Sequence, residues 1–339
     1  MDNIPFEARK RWQNSRGMTV LIILAVLIFI VLLISMNTGY VKLTPIEVIR
    51  TFFGGGTDRQ HLILFQFRLP RIVISILVGM GLSVSGCILQ GVTRNGLAEP
   101  GLLGINAGAG LAVLTYIMYF PPTQQTPVFL LPLLAFGGAA IAALVIYALA
   151  FKKNEGISPF RLILTGIAIA AAIHAATVAI TLQLSPEKFK FVERWNAGSI
   201  WGASWNFVYA LLPWIIVLVP YAIYKARTLN VLSLGDQLAK GLGTRVEKER
   251  IRLLGVAVAL AGASVAVSGG IAFVGLIAPH LARRLVGSRH EILLPVSALS
   301  GALLLILADT LARPSEIPTG IVVAVIGAPY FLYLLARAK

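Results

Sequence analysis

Residues 68–104 read RLPRIVISILVGMGLSVSGCILQGVTRNGLAEPGLLG. Two arginines, Arg68 and Arg71, bracket a proline, and an uncharged segment of membrane-spanning length follows. A polar turn punctuated by Pro100 and glycines ends it, and a second apolar run begins. Gly79, Ser83, Gly86 and Gln90 recur at i, i+4, i+7 and i+11, which sets three small residues and one amide on a single helical face. A helix surrounded by lipid needs no such stripe, whereas a helix packed closely on its neighbours does. The stretch therefore predicts a core helix of a polytopic membrane protein, with functional termini at both ends.

Composition supports the same class. The chain is 57% hydrophobic and 13% charged, with mean hydropathy +0.84, outside the range of a soluble globular domain. Met18 to Met36 is an uncharged run long enough to cross a hydrocarbon core of ~30 Å. It is too long for a cleaved leader, and NTGYVKL after it offers no small-residue cleavage site, so it reads as a retained first span. The net charge of +15 is carried by short segments between apolar runs, where it reports orientation rather than nucleic-acid binding. Cys87 is the only cysteine and the four histidines show no ligand spacing, so neither a metal site nor a cofactor is expected.

Outward from the opening stretch, ten spans can be drawn. The first is followed by a polar segment, 37–67, in which TPIEVIRTFFGGG predicts a short helix with Thr44 as N-cap, Pro45 at N1 and Glu47 at N3. The next four spans cover about 71–91, 101–120, 128–151 and 162–182, with a tight turn at Pro121 and Pro122. SPEKFKFVERWNAGSIWGAS then mixes charge with aromatics, as interfacial segments do. A sixth span at about 207–224 leads to the longest basic loop, 225–252. Two crossings share 253–282, with Gly269 and Gly270 making the reversal and leaving a short eighth helix, and two more spans follow at about 292–307 and 321–335. With the N-terminal segment 1–17 in the cytoplasm, 20 Lys and Arg fall on cytoplasmic segments and 9 on outer ones, the expected asymmetry. Both termini are then cytoplasmic. No linker divides the chain, so 1–339 reads as one all-α transmembrane domain.

RLPR, LVGMGLSVSGCILQ, RNGLAEPGLLG, GGIAFVGLIAPHLARRLVG, HEILLPVSALSGALLLILADTLAR and EIPTGIVVAVIGAPYF resemble, in this order, the motifs of the FecCD family of ABC-importer permeases, the BtuC-like type II class. The resemblance covers the chain from about residue 40 onward. It implies a permease with about ten transmembrane helices in a bacterial cytoplasmic membrane. Its implied partners are a second permease chain (the same or a related one), two cytoplasmic ATPase subunits and an extracytoplasmic substrate-binding protein. Ferric siderophore is the implied cargo, with vitamin B12 or haem as alternatives within the family. The residues agree in one respect: no G-x-x-x-x-G-K-[ST] phosphate loop is present, so ATP hydrolysis must lie in another polypeptide and this chain is not expected to be an enzyme.

The resemblance also implies roles by position. Arg68, Arg71 and Arg313 match residues that receive glutamates of the binding protein; the alternative is that they are interfacial anchors reaching headgroups. Reversing Arg68 and Arg71 to glutamate is expected to abolish uptake with expression intact. Asn95 and Leu97 match a turn that closes the cytoplasmic mouth of the path, with Pro100 at N1 of the following helix; the alternative is a plain connection. Gly96 departs from the proline usual there. In LSLGDQLAKGLG, Leu234, Leu238 and Leu242 recur at i, i+4 and i+8 as an apolar stripe ended by Gly241 and Gly243. The resemblance makes Leu234, Gly235, Asp236, Leu238, Ala239 and Gly243 the coupling region for the ATPases, while a lipid-surface helix is the competing reading. His174 lies in the span that lines the path in this family, where it either meets substrate or bonds a neighbouring helix. Asp309 is four residues before Arg313 and is expected to pair with it. His280 is assigned a structural or coupling role. An ion-coupled secondary transporter would show mid-membrane acids on broken helices, and a membrane enzyme a convergent catalytic set; neither pattern is evident.

Overall fold

The uncharged run from Met18 is the apolar part of a 32-residue helix, α1 (Phe6–Asn37), in the computed structural model. The structure describes residues 6–337 except 40, 42, 102, 121–128, 154–155 and 201; the turn at Pro121 and Pro122 lies outside the described residues. α2 (Pro45–Phe52) begins on a full capping box: Thr44 accepts from the Glu47 N–H, and the Glu47 carboxylate accepts from the Thr44 N–H at 2.7 Å. Thr57 and Gln60 repeat the device at α3 (Asp58–His61). From there the helix runs on through a π-helical segment, Leu62–Arg68, into α4 (Leu69–Thr93). The latter part of the segment read as polar is therefore helical: HLILFQF is apolar enough to extend α4 upstream to Asp58.

Next come α5 (Ile105–Tyr119), α6 (Leu130–Ala150), a two-residue hairpin of β1 (Phe151–Lys152) and β2 (Gly156–Ile157), and α7 (Pro159–Thr181). The remaining helices are α8 (Pro186–Asn196), α9 (Trp205–Tyr224), α10 (Ala226–Ser233), α11 (Asp236–Gly241), α12 (Val246–Ser268), α13 (Val274–Val286), α14 (His290–Ala312) and α15 (Thr319–Arg337). Among the described residues seven helical stretches are long and apolar enough to cross a membrane. α5 and α15 are shorter apolar helices, and α13 is the short eighth helix expected after the Gly269 reversal. The protein is an all-α, multi-pass membrane protein.

Burial ranks these helices. In its most apolar window the α3–α4 helix is 83% buried, whereas α7 is only 6% buried. α4 is the central post because its small-residue face admits other backbones. A methyl group at Gly79 would collide with the Gly301 carbonyl of α14, and one at Gly86 with the Gly275 carbonyl of α13. Ser83 lies against Gly301 and Gln90 donates to the Gly275 carbonyl at 3.5 Å, so all four members of the stripe face α13 or α14. On a second face Ser85 Oγ donates to the Ala257 carbonyl of α12 at 2.7 Å.

Candidate functional site

At its Arg71 end, α4 meets α14 around one buried acid. Asp309 accepts from Arg71 at 2.7–2.8 Å through Oδ1 and from Arg313 Nη2 at 2.6 Å through Oδ2, and Thr319 Oγ1 donates to it at 3.1 Å. The helical pair expected between Asp309 and Arg313 is present, and Arg71 completes a triad. Arg68 is 5% exposed and its guanidinium is held by the Met36 and Val41 carbonyls. Arg313 also donates to the Ser35 carbonyl at 2.9 Å. All three arginines nonetheless line one cleft of about 220 Å³, together with Val41 and Phe67.

At the opposite end the chain does not simply turn over. Arg94 closes α4 in the left-handed conformation (φ 53°, ψ 30°). The Leu97 N–H then donates to Asn95 Oδ1 at 2.9 Å, a local turn that joins the two residues assigned to the gate. Beyond them the segment climbs back into the protein. Pro100 packs beside Gly275, which also touches Leu82 and Gly86 of α4. Gly86 precedes Thr93 by seven residues, so this contact lies about 10 Å inside the end of α4 at 1.5 Å per residue. Pro100 is thus inside the re-entrant segment rather than at N1 of a helix; α5 begins at Ile105, after Gly104.

That climb places Glu99, which the sequence reading passed over, within the core. It is 6% exposed and accepts from the Phe273 N–H at 3.0 Å, at the start of α13. Asn106 donates to the Ile271 carbonyl at 3.3 Å. The Gly270 N–H donates to the Trp195 carbonyl after α12 ends at Gly269 (φ +68°). The segment around Glu99, the end of α8 at Trp195 and the irregular segment 269–273 therefore share partners: the Phe273 N–H bonds the Glu99 carboxylate and the Gly270 N–H the Trp195 carbonyl. The signal for Glu99 was available: a carboxylate between apolar residues, followed by two glycines and a proline.

The loop 225–252 differs from the single helix its leucine spacing implies. Gly235 at φ +106° separates α10 from the six-residue α11, so Leu234 precedes the break and Leu242 follows the helix. Leu234, Leu238 and Leu242 are still all exposed, at 56%, 61% and 64%. Ala239 is fully buried and faces inward, and Gly243 (φ +79°) turns the chain out of α11. Asp236 is not a free surface carboxylate: Oδ1 accepts from Arg250 Nη2 at 2.7 Å and pairs with Arg94 Nη2 at 3.3 Å. His174 is exposed on α7. His280 sets its ring edge-on to Tyr330 of α15, centroids 5.8 Å apart, in keeping with a structural role.

The FecCD transport family model matches residues 26–337. Among curated proteins the chain is similar to the iron(3+)-hydroxamate import system permease protein FhuG of Bacillus subtilis. That match is 52% identical and covers 96% of this chain and 99% of the relative. It is also similar to the Fe(3+)-citrate import system permease protein YfmE of Bacillus subtilis, 45% identical over 95% of this chain and 96% of the relative. Among solved structures, an inward-facing metal-chelate type ABC transporter matches with TM-score 0.82 and 30% identity. It covers 94% of this chain and 99% of that one.

Proposed function

The chain belongs to the FecCD transport family of ABC-importer permeases, and from that premise we propose that it carries ferric chelates of the siderophore and citrate class across a bacterial cytoplasmic membrane. ATP hydrolysis resides in separate subunits. One observation supports the mechanism most: α4, the most buried of the described spans, joins an arginine-lined cleft at one end to the Asn95–Leu97 turn and the exposed leucines in and beside α11 at the other.

In this reading residues 1–339 act as a single permease domain. The Arg71 end is extracytoplasmic and both termini are cytoplasmic, which agrees with the bias of basic residues. The cleft around Arg68, Arg71 and Arg313 receives a carboxylate of the substrate-binding protein. Arg71, the least enclosed of the three, makes the direct contact, while Asp309 holds it and Arg313 in place. Such a contact supplies register and steering more than affinity. At the cytoplasmic face Leu234, Leu238 and Leu242 enter a groove on the ATPase, and Asn95 and Leu97 close the path. α7, with so little of its apolar face covered, packs on the second permease chain, and His174 faces the path between the two.

The test is ATP hydrolysis by the reconstituted importer with and without loaded binding protein. Arg71→Gln should remove most of the stimulation by binding protein and leave basal hydrolysis in place. Leu238→Asp should leave binding-protein docking intact and break the link between hydrolysis and uptake. Full stimulation in Arg71→Gln would remove the docking role from the cleft.

A further inference from the structure

Arg94 is a non-glycine residue in a left-handed conformation that glycine would adopt without strain. Its side chain spans the gap between the end of α4 and α11, where Nη2 lies 3.3 Å from Asp236 Oδ1. The strain accompanies a contact that glycine could not make, and we infer that Arg94 is the residue that ties the gate turn to the coupling helix. This inference rests on the roles given above to Asn95, Leu97 and α11.

Asp236 is the junction. Its Oδ1 also takes Arg250 Nη2 at 2.7 Å, and Arg250 is 3% exposed. Arg250 Nη1 donates to the Ile157 carbonyl at 2.7 Å, and the Ile157 N–H donates to Glu247 Oε1 at 2.7 Å. One carboxylate thus connects α11, α12, the strand before α7 and the end of α4. The two sides of the junction differ in kind. Arg250 is buried and multiply bonded, a fixed post. The Arg94–Asp236 pair is about one-third exposed on both sides and contributes little to stability. A weak pair between two moving parts can shift on each cycle without a large barrier.

Two further features fit that role. Gly235, immediately before Asp236, holds φ +106°, and a Cβ there would lie 3.2 Å from Arg94 Nη1, so the backbone stays slim where the guanidinium passes. A cavity of about 530 Å³ borders the pair, lined by Arg94, Ser158, Arg161 and Asp236 among others, and gives the side chain room to swing. Displacement of α11 by the ATPases then reaches Asn95, the next residue, through one side chain.

The experiment reconstitutes the full importer and measures ferric-hydroxamate uptake and ATP hydrolysis in the same proteoliposomes. Arg94→Gly relieves the backbone strain and removes the cation, so unfolding temperature should hold or rise. Uptake per ATP should fall about tenfold, within the range of coupling between sites. Arg94→Lys, which keeps the charge, should restore at least about half of the coupling, a rescue that a purely structural role would not require. Leu238→Asp runs beside them. Loss of coupling in both Arg94→Gly and Leu238→Asp supports the link. Loss in Leu238→Asp alone overturns the link and leaves the assignment of α11 standing. Normal coupling in both variants overturns the assignment of α11, and the link with it.

Discussion

Asp309 is bonded by two guanidiniums and a hydroxyl, and it has no exposed surface. Removing the shared partner of two enclosed cations is the costly kind of change, about 3–5 kcal/mol. Asp309→Ala is therefore expected to lower the unfolding temperature of the detergent-purified permease and its level in the membrane. The same geometry revises the outcome expected for reversing Arg68 and Arg71 to glutamate. A carboxylate in place of Arg68 would face the Met36 and Val41 carbonyls, and one in place of Arg71 would face Asp309. Lost uptake in that double variant would then come with lost protein, not intact expression, which makes Arg71→Gln the cleaner test of docking. The Asp309–Arg313 pair was legible because helical spacing is local. The third partner was not, because Arg71 and Asp309 are 238 residues apart in the chain.

Among elements, α4 shows what periodicity conveys and what it leaves open. The Gly79–Gln90 stripe announced close packing, and its partners are the Gly301 and Gly275 backbones. Gly86→Val is expected to destabilise by about 1–3 kcal/mol through overpacking, whereas Gly96→Ala, with nothing within 4 Å of its added methyl, should stay within about 0.5 kcal/mol. Thermal unfolding of the two variants checks the contrast. Span positions were readable because apolar runs must match the bilayer. The breaks were harder. The leucine spacing of 234–242 implied one helix, yet a single glycine at φ +106° divides it. The inward path of Ala98 to Pro100 was hidden because its burial depends on Phe273 and Gly275, far along the chain. Glu99 in turn puts an acid inside the core beside a broken helix, a pattern also found in ion-coupled carriers. Here it holds the Phe273 N–H just before α13, and the family membership assigns the chain to an ATP-driven importer.

At the scale of the whole molecule, the arginine cleft and the exposed leucines lie at opposite ends of one buried post, while α7 leaves an apolar face largely uncovered. In the function proposed above, that face packs on the second permease chain. His174 provides a further check there, since it is exposed on α7. His174→Ala should leave unfolding unchanged within about 0.5 kcal/mol and alter the uptake rate if the helix lines the path; an unchanged rate would remove His174 from it. The chain forms an ATP-driven path for ferric chelates. The most direct measurement is uptake of radiolabelled ferric hydroxamate into proteoliposomes holding this permease, its partner permease and the ATPase, with loaded binding protein added. Accumulation should require both ATP and binding protein and be indifferent to an imposed proton or sodium gradient. Uptake that follows the ion gradient and proceeds without ATP would contradict an ATP-driven path.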